Sequence, residues 1–100
     1  MTHTRLHDRR QTILTAALTV AERDGYMRAT RDAIAAEACC SPALVSHWMG
    51  TLAHLQRAIM GEALRVRNLR VIAQGLAHGD RRALNAPEEL RRAAAEALIP

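Results

Sequence analysis

The stretch Cys39-Cys40-Ser41-Pro42-Ala43-Leu44-Val45-Ser46-His47-Trp48-Met49-Gly50-Thr51 constrains the fold more than any other. Ser41-Pro42 starts a helix. The serine hydroxyl accepts from the free amides, and proline fits the first helical position, where its missing N–H would be unpaired anyway. Gly50 closes that helix after little more than two turns, and Thr51 caps the next. Upstream, Thr30 caps a short helix from Arg31 to about Ala38, with Ile34 and Ala38 on one face and Asp32 in the first turn, where negative charge is favourable. Two short helices joined by about three residues and bracketed by caps have the layout of a helix-turn-helix unit.

Helical spacing continues on both sides. Leu6, Ile13, Leu14, Ala17, Leu18 and Ala21 share one face of a helix, with Arg5, Arg9, Arg10, Glu22 and Arg23 on others, until Asp24-Gly25 stops it. After Thr51 a long helix is expected from Leu52, its apolar positions Leu55, Ile59, Val66, Leu69, Ala73 and Leu76 recurring at threes, fours and one seven. Gly75 weakens it and His78-Gly79-Asp80 ends it. Asp80 caps a brief turn through Leu84, and Asn85-Ala86-Pro87 opens a last helix with Glu88 and Glu89 in its first turn and Leu90, Ala94, Ala97 and Leu98 on one face. The expectation is an all-α fold in one domain, 1–100. A three-helix, homeodomain-like helix-turn-helix head (9–50) precedes a long helix and a short C-terminal helix (51–100).

Composition narrows the class. Alanine fills 20 of 100 positions while Trp48 and Tyr26 are the only aromatics, which argues for helices and against a β-sandwich or barrel. The longest stretch without charge, Ala38 to Gln56, contains Pro42, Gly50 and several polar residues and is no membrane span. The N-terminus lacks the apolar run and cleavage site of a secretory leader, and adjacent Cys39 and Cys40 form no disulfide framework. A cytoplasmic chain with free thiols is expected. All 14 basic side chains are arginine against ten acids, a net +4. GC-rich coding would raise Ala and Arg together, so the number of arginines proves nothing and their placement matters. Residues 1–31 hold six Arg against three acids and residues 57–70 four against one, while residues 32–56 carry only two charges, both acidic. Arginine flanks the bracketed helices and is absent from the second of them.

The chain resembles the DNA-binding part of the TetR family of transcriptional regulators. The resemblance rests on Ile13-Leu14-Thr15-Ala16-Ala17-Leu18, Glu22 to Gly25-Tyr26, Thr30, Ile34-Ala35 and Ala38-Cys39-Cys40-Ser41 through to Leu55, roughly residues 9 to 60. The segments Val71–Ala77 and Ala86–Arg91 look more like compact repressors of plasmids and phages, without the family's usual ligand-binding domain. Three positions depart from the family pattern: Cys39 stands where the turn usually has Gly, Ser46 where the second helix usually has Tyr, and Leu52 where the next helix usually starts with Lys.

Such a resemblance implies that Pro42–Met49 enters the major groove, N-terminal residues foremost. Val45 and Met49, with Cys40, then face inward, and Pro42, Ala43, Leu44, Ser46 and His47 face out. That uncharged set would read bases through thymine methyl contacts and hydrogen bonds from Ser46 and His47. Arg31, following Thr30, is the candidate for a bidentate guanine contact. Thr30, Ser41, Trp48 and the free helix amides are candidates for phosphate oxygens. Each has a plainer alternative: the arginines as solvated charges, Trp48 as a residue at the core's edge, Leu44 as buried.

One short reading helix covers few base pairs, so a repressor of this kind is expected to act as a homodimer on a pseudo-palindromic operator in double-stranded DNA. Val66, Leu69, Ile72, Leu76, Leu90, Ala94 and Leu98 are the candidate dimer residues, or else internal core. The chain's length argues against a small-molecule inducer, and no cofactor is expected. His3 and His7 have metal-compatible spacing but no third ligand nearby, so no metal site is expected. No nucleophile–base set, phosphate loop or HExxH points to an enzyme. Two rival readings are a small helical protein-interaction module, an adaptor or inhibitor that uses the uncharged Pro42–Gln56 surface, and a regulator gated by Cys39 and Cys40.

Overall fold

The structure, a computed structural model, describes the backbone of residues 2–98 and the side chains of residues 8–98. Among the described residues there are seven α-helices and no strand: α1 (Thr2–Asp24), α2 (Arg31–Ala38), α3 (Pro42–Met49), α4 (Leu52–Val66), α5 (Leu69–His78), α6 (Arg81–Leu84) and α7 (Glu88–Ala97), with a 3₁₀ turn at Tyr26–Arg28. The all-α expectation is met. Leu6, Arg5 and the His3/His7 pair lie outside the described side chains. Among the described residues no helix is long and apolar enough to cross a membrane, and no group of three or more His, Cys, Asp or Glu is placed to hold a metal ion.

The caps foreseen in the sequence are made. Thr30 Oγ1 accepts from the Ala33 amide at 3.1 Å, Ser41 Oγ from Leu44 at 3.1 Å and Thr51 Oγ1 from His54 at 3.2 Å. Asp80 Oδ1 accepts from Arg82 and Ala83 at 2.9 and 3.1 Å, enough to start the four-residue α6.

One long helix from Leu52 to Leu76 does not form. Arg67 sits in the left-handed region (φ 58°, ψ 46°), and the Asn68 amide returns to the carbonyl of Ala63 at 2.8 Å, which closes α4. Asn68 Oδ1 then accepts from Val71 at 3.0 Å and opens α5, so two residues redirect the chain. The physical reason is local: asparagine's carboxamide competes with the helix for backbone amides. The α5–α6 link repeats the device, with Gly79 left-handed and Asp80 both returning its amide to Gly75 (2.8 Å) and capping the next helix.

The core runs the length of the molecule. Ile13, Ala17, Val20 and Ala21 of α1 meet Ile34 and Ala35 of α2, Val45 and Met49 of α3, and Leu55, Ile59 and Ala63 of α4. Ile72 of α5 is buried with Leu90 and Ala94 of α7, and α5 packs chiefly on α7. The absence of a Cβ at Gly75 lets α5 lie close to α4 and α6, so this glycine is a packing residue and not the weak point the sequence suggested. Polar side chains tie distant segments across this core. Gln74 Nε2 donates to the Ala21 carbonyl at 3.0 Å while its Oε1 accepts from the Tyr26 amide at 2.9 Å, joining α5 to the end of α1. The buried Glu62 accepts from Arg65 (2.8 and 2.7 Å) and from Gln11 of α1 (2.8 Å); these bonds, Arg65's foremost, hold its carboxyl below the ordinary range against the opposing effect of burial.

Candidate functional site

α2 and α3 are joined by Cys39, Cys40 and Ser41. Cys39 adopts φ 56°, ψ 47°, the positive φ that makes glycine the usual choice at such a turn. Its conformation lets the Cys40 amide return to Ala35 at 3.0 Å, which closes α2. Both thiols are free, Cys39 exposed and Cys40 half-buried, with Cys40 Sγ donating to the Ser41 carbonyl at 3.6 Å.

The N-termini of three helices meet on one side. Thr30, Arg31 and Asp32 of α2, Pro42 of α3 and Leu52 of α4 line one open hollow of about 360 Å³. Amides at helix N-termini carry partial positive charge, so their convergence favours an anion there, with Asp32 opposing. Arg31 does not project freely from this side. Its Nη2 donates to the Gly50 carbonyl at 3.0 Å, and its Nε is covered and has no hydrogen-bond partner. Periodicity gave no sign of this tie, because Arg31 and Gly50 meet only through the folding of α2 against α3.

Along α3 the expected division holds for most positions. Val45 and Met49 are buried, Pro42, Ala43 and His47 are exposed, and Ser46 is half-buried. Leu44 departs from the outward set, and Trp48 takes the core-edge place that is the alternative to a phosphate contact. Leu44 packs half-buried against the core and, with Asp8, Arg9, Thr12 and Ile13 of α1, lines a groove of about 380 Å³ that also borders Cys39 and Cys40. Trp48 also packs on the core, edge-on to His47 at a ring separation of 5.2 Å, and its indole N–H is covered and without an acceptor. As placed, the Trp48 N–H does not offer itself to a phosphate. The reason is that a helix of eight residues packed on α1, α2 and α4 has a narrow free face, and both large apolar side chains turn from it.

The candidate dimer residues divide. Ile72, Leu90 and Ala94 are buried in the chain's own core and present no surface to a second copy, because α5 and α7 use them to pack on each other. Leu69 and Leu76 are half-buried against the same core. Only Val66 (44% exposed) and Leu98 (61%) stand open, and Ala97 is exposed as well, off the buried stripe of Leu90 and Ala94.

No family model, curated protein or solved structure matches the chain.

Proposed function

We propose that the chain is a sequence-specific DNA-binding protein, a transcriptional repressor that binds a pseudo-palindromic operator as a homodimer through a helix-turn-helix head made of α1, α2 and α3. The observation that carries this reading is the exposed, uncharged edge of α3 (Pro42, Ala43 and His47) beside a hollow where three helix N-termini converge. Small apolar groups and an imidazole suit base edges, while helix N-termini suit backbone phosphates. The net +4, carried by arginine alone, supplies the nonspecific attraction, and the resemblance of residues 9 to 60 to TetR-type heads supports the same reading. In this reading Thr30 and Ser41 keep their cap bonds and turn their hydroxyl protons to phosphates, and Arg31 reaches a guanine by releasing Gly50. The two-fold contact falls to Val66, Leu98 and the half-buried Leu69 and Leu76.

A gel shift of the protein on the DNA upstream of its own gene, repeated over a salt series, tests this. A specific site keeps its preference over random duplex as salt rises. Binding that is equal on all sequences at moderate salt rejects the repressor reading.

A second reading has one observation in its favour. Leu52, 50% exposed, stands at the start of α4 beside an α3 surface without charge. A helical adaptor or inhibitor would use that apolar face on another protein. In that case Arg31→Ala leaves partner binding unchanged, and DNA binding is weak and nonspecific.

A further inference from the structure

At the C-terminal end of α3, a second hollow gathers basic side chains from three distant parts of the chain. Arg10 of α1, His54 and Arg57 of α4 and Arg82 of α6 line it, with Trp48, Met49 and Ala58; its volume is about 280 Å³. No carboxylate is among those residues. The ion pairs among the described residues engage Arg23, Arg65, Arg67 and Arg92 and none of Arg10, Arg57 and Arg82, although Arg10 lies near enough to the Glu62 carboxylate to help hold its pKa down. Three guanidinium-bearing residues brought together by tertiary folding repel one another unless an anion sits between them.

Arg82 is also positioned. Its Nη1 donates to the Arg57 carbonyl at 3.4 Å and lies over Gly61, where an added Cβ would come within 3.2 Å of it. A glycine on α4 thus leaves room for the guanidinium to rest against that helix. Trp48, which lines the same hollow, carries a covered indole N–H with no acceptor.

We propose that this hollow binds a phosphate-type oxyanion, with Arg57 and Arg82 as its main ligands and Arg10 and His54 as flanking donors. Guanidinium forks match phosphate oxygens in pairs, which ammonium groups and water do not. The volume is just below the range of roughly 300–1,000 Å³ typical of small-molecule sites, and suits a phosphate or pyrophosphate group better than a whole nucleotide. The anion comes either from a nucleic-acid backbone or from a free phosphorylated molecule. The site does not depend on the DNA-binding reading.

Trp48 is the chain's only tryptophan, so its fluorescence reports on the hollow directly. Titration with inorganic pyrophosphate, against sodium chloride at matched ionic strength, should give a saturable change that chloride does not reproduce. Calorimetry with pyrophosphate repeats the measurement without the fluorophore. The double variant Arg57→Gln/Arg82→Gln should weaken binding at least tenfold, while Arg92→Gln, on α7, leaves it unchanged; circular dichroism melts establish that each variant is folded. No saturable binding by the intact protein in either measurement overturns the proposal, whatever the variants do, and so does equal binding by the folded double variant. A short random duplex identifies the source. If the anion is a backbone phosphate, pyrophosphate competes with the duplex and the double variant's salt slope falls by about two. If it is a free molecule, the double variant loses pyrophosphate and keeps the duplex. A chain that binds pyrophosphate and no DNA supports the site while rejecting the repressor reading.

Discussion

Arg31 donates through Nη2 to the carbonyl of Gly50 at 3.0 Å, which ties the first residue of α2 to the residue that ends α3. The same side chain is the proposed guanine reader, so binding DNA exchanges one bond for two. Arg31→Ala should therefore have two separable effects. Losing an exposed hydrogen bond lowers stability by about 0.5–1.5 kcal/mol, read from thermal melts. Losing a bidentate base contact costs roughly 1–3 kcal/mol at one base pair and flattens the preference there, read from binding to operators substituted position by position. Arg31→Lys keeps the charge without the fork and should flatten the same position. A uniform loss over all sequences would leave Arg31 only its structural tie.

Cys39 is a non-glycine residue in a left-handed turn, at φ 56°. An L residue there is disfavoured by roughly 1–2 kcal/mol, while glycine gives back about 0.4–1 kcal/mol through a freer unfolded chain. Cys39→Gly should thus stabilise the protein by up to about 1 kcal/mol and raise its melting temperature. Cys39→Val, β-branched, should lower it. Arg67 (φ 58°) predicts the same gain for Arg67→Gly, and the two gains should add, because the turns share no hydrogen-bond partner.

These turns also show what the sequence could disclose. Thr30, Ser41, Thr51 and Asp80 act on amides two or three residues away, so their caps are written locally and each forms as expected. The break between α4 and α5 is local as well, but it is masked. Apolar residues continue on both sides of it, at Leu64, Val66, Leu69 and Ile72, and an arginine in the left-handed region has no compositional mark. Asn68, a capping residue inside an apparent helix, was the available sign. Which faces of α3, α5 and α7 lie open is not local at all. Leu44, Trp48, Ile72 and Leu90 have the same periodicity whether they meet a partner molecule or their own chain, and only packing decides between them.

Gly75 marks the closest approach of α5 to its neighbours. A Cβ there would lie 2.5 Å from Met60 Cε and 2.8 Å from Ala83 Cβ. Met60 is fully buried, so its methyl has little room to withdraw, and Ala83 is fixed to α6. Overpacking of this kind costs about 1–3 kcal/mol, against a helix-propensity gain for alanine of about 0.8–1.0 kcal/mol. Gly75→Ala should be a net loss of up to about 2 kcal/mol in denaturant unfolding. Met60→Val, which removes the clashing methyl, should make the same substitution less harmful, with a coupling of about 0.5 kcal/mol or more in a double-mutant cycle. A rise in stability for Gly75→Ala alone would contradict the close approach.

Tyr26 is the only tyrosine, so its ionisation can be followed by phenolate absorbance without interference from another. Burial, and then the nearby Asp80 carboxylate that accepts its hydroxyl at 3.3 Å, push its pKa from 10.0 up to about 12. Both causes disfavour the phenolate in the folded state. The folded value lies above the unfolded one, so the associated stability is complete below pH 10 and is lost as pH rises towards 12. A shift of that size corresponds to about 2–3 kcal/mol. Tyr26→Phe keeps the ring and removes the titrating group. It should cost about 0.5–1.5 kcal/mol at neutral pH through the lost hydrogen bond, and should abolish the Tyr26 share of the alkaline decline. Parallel loss of stability in both proteins between pH 10 and 12, or a phenolate midpoint near 10 in the native protein, would show that the hydroxyl is not held as the Asp80 contact requires.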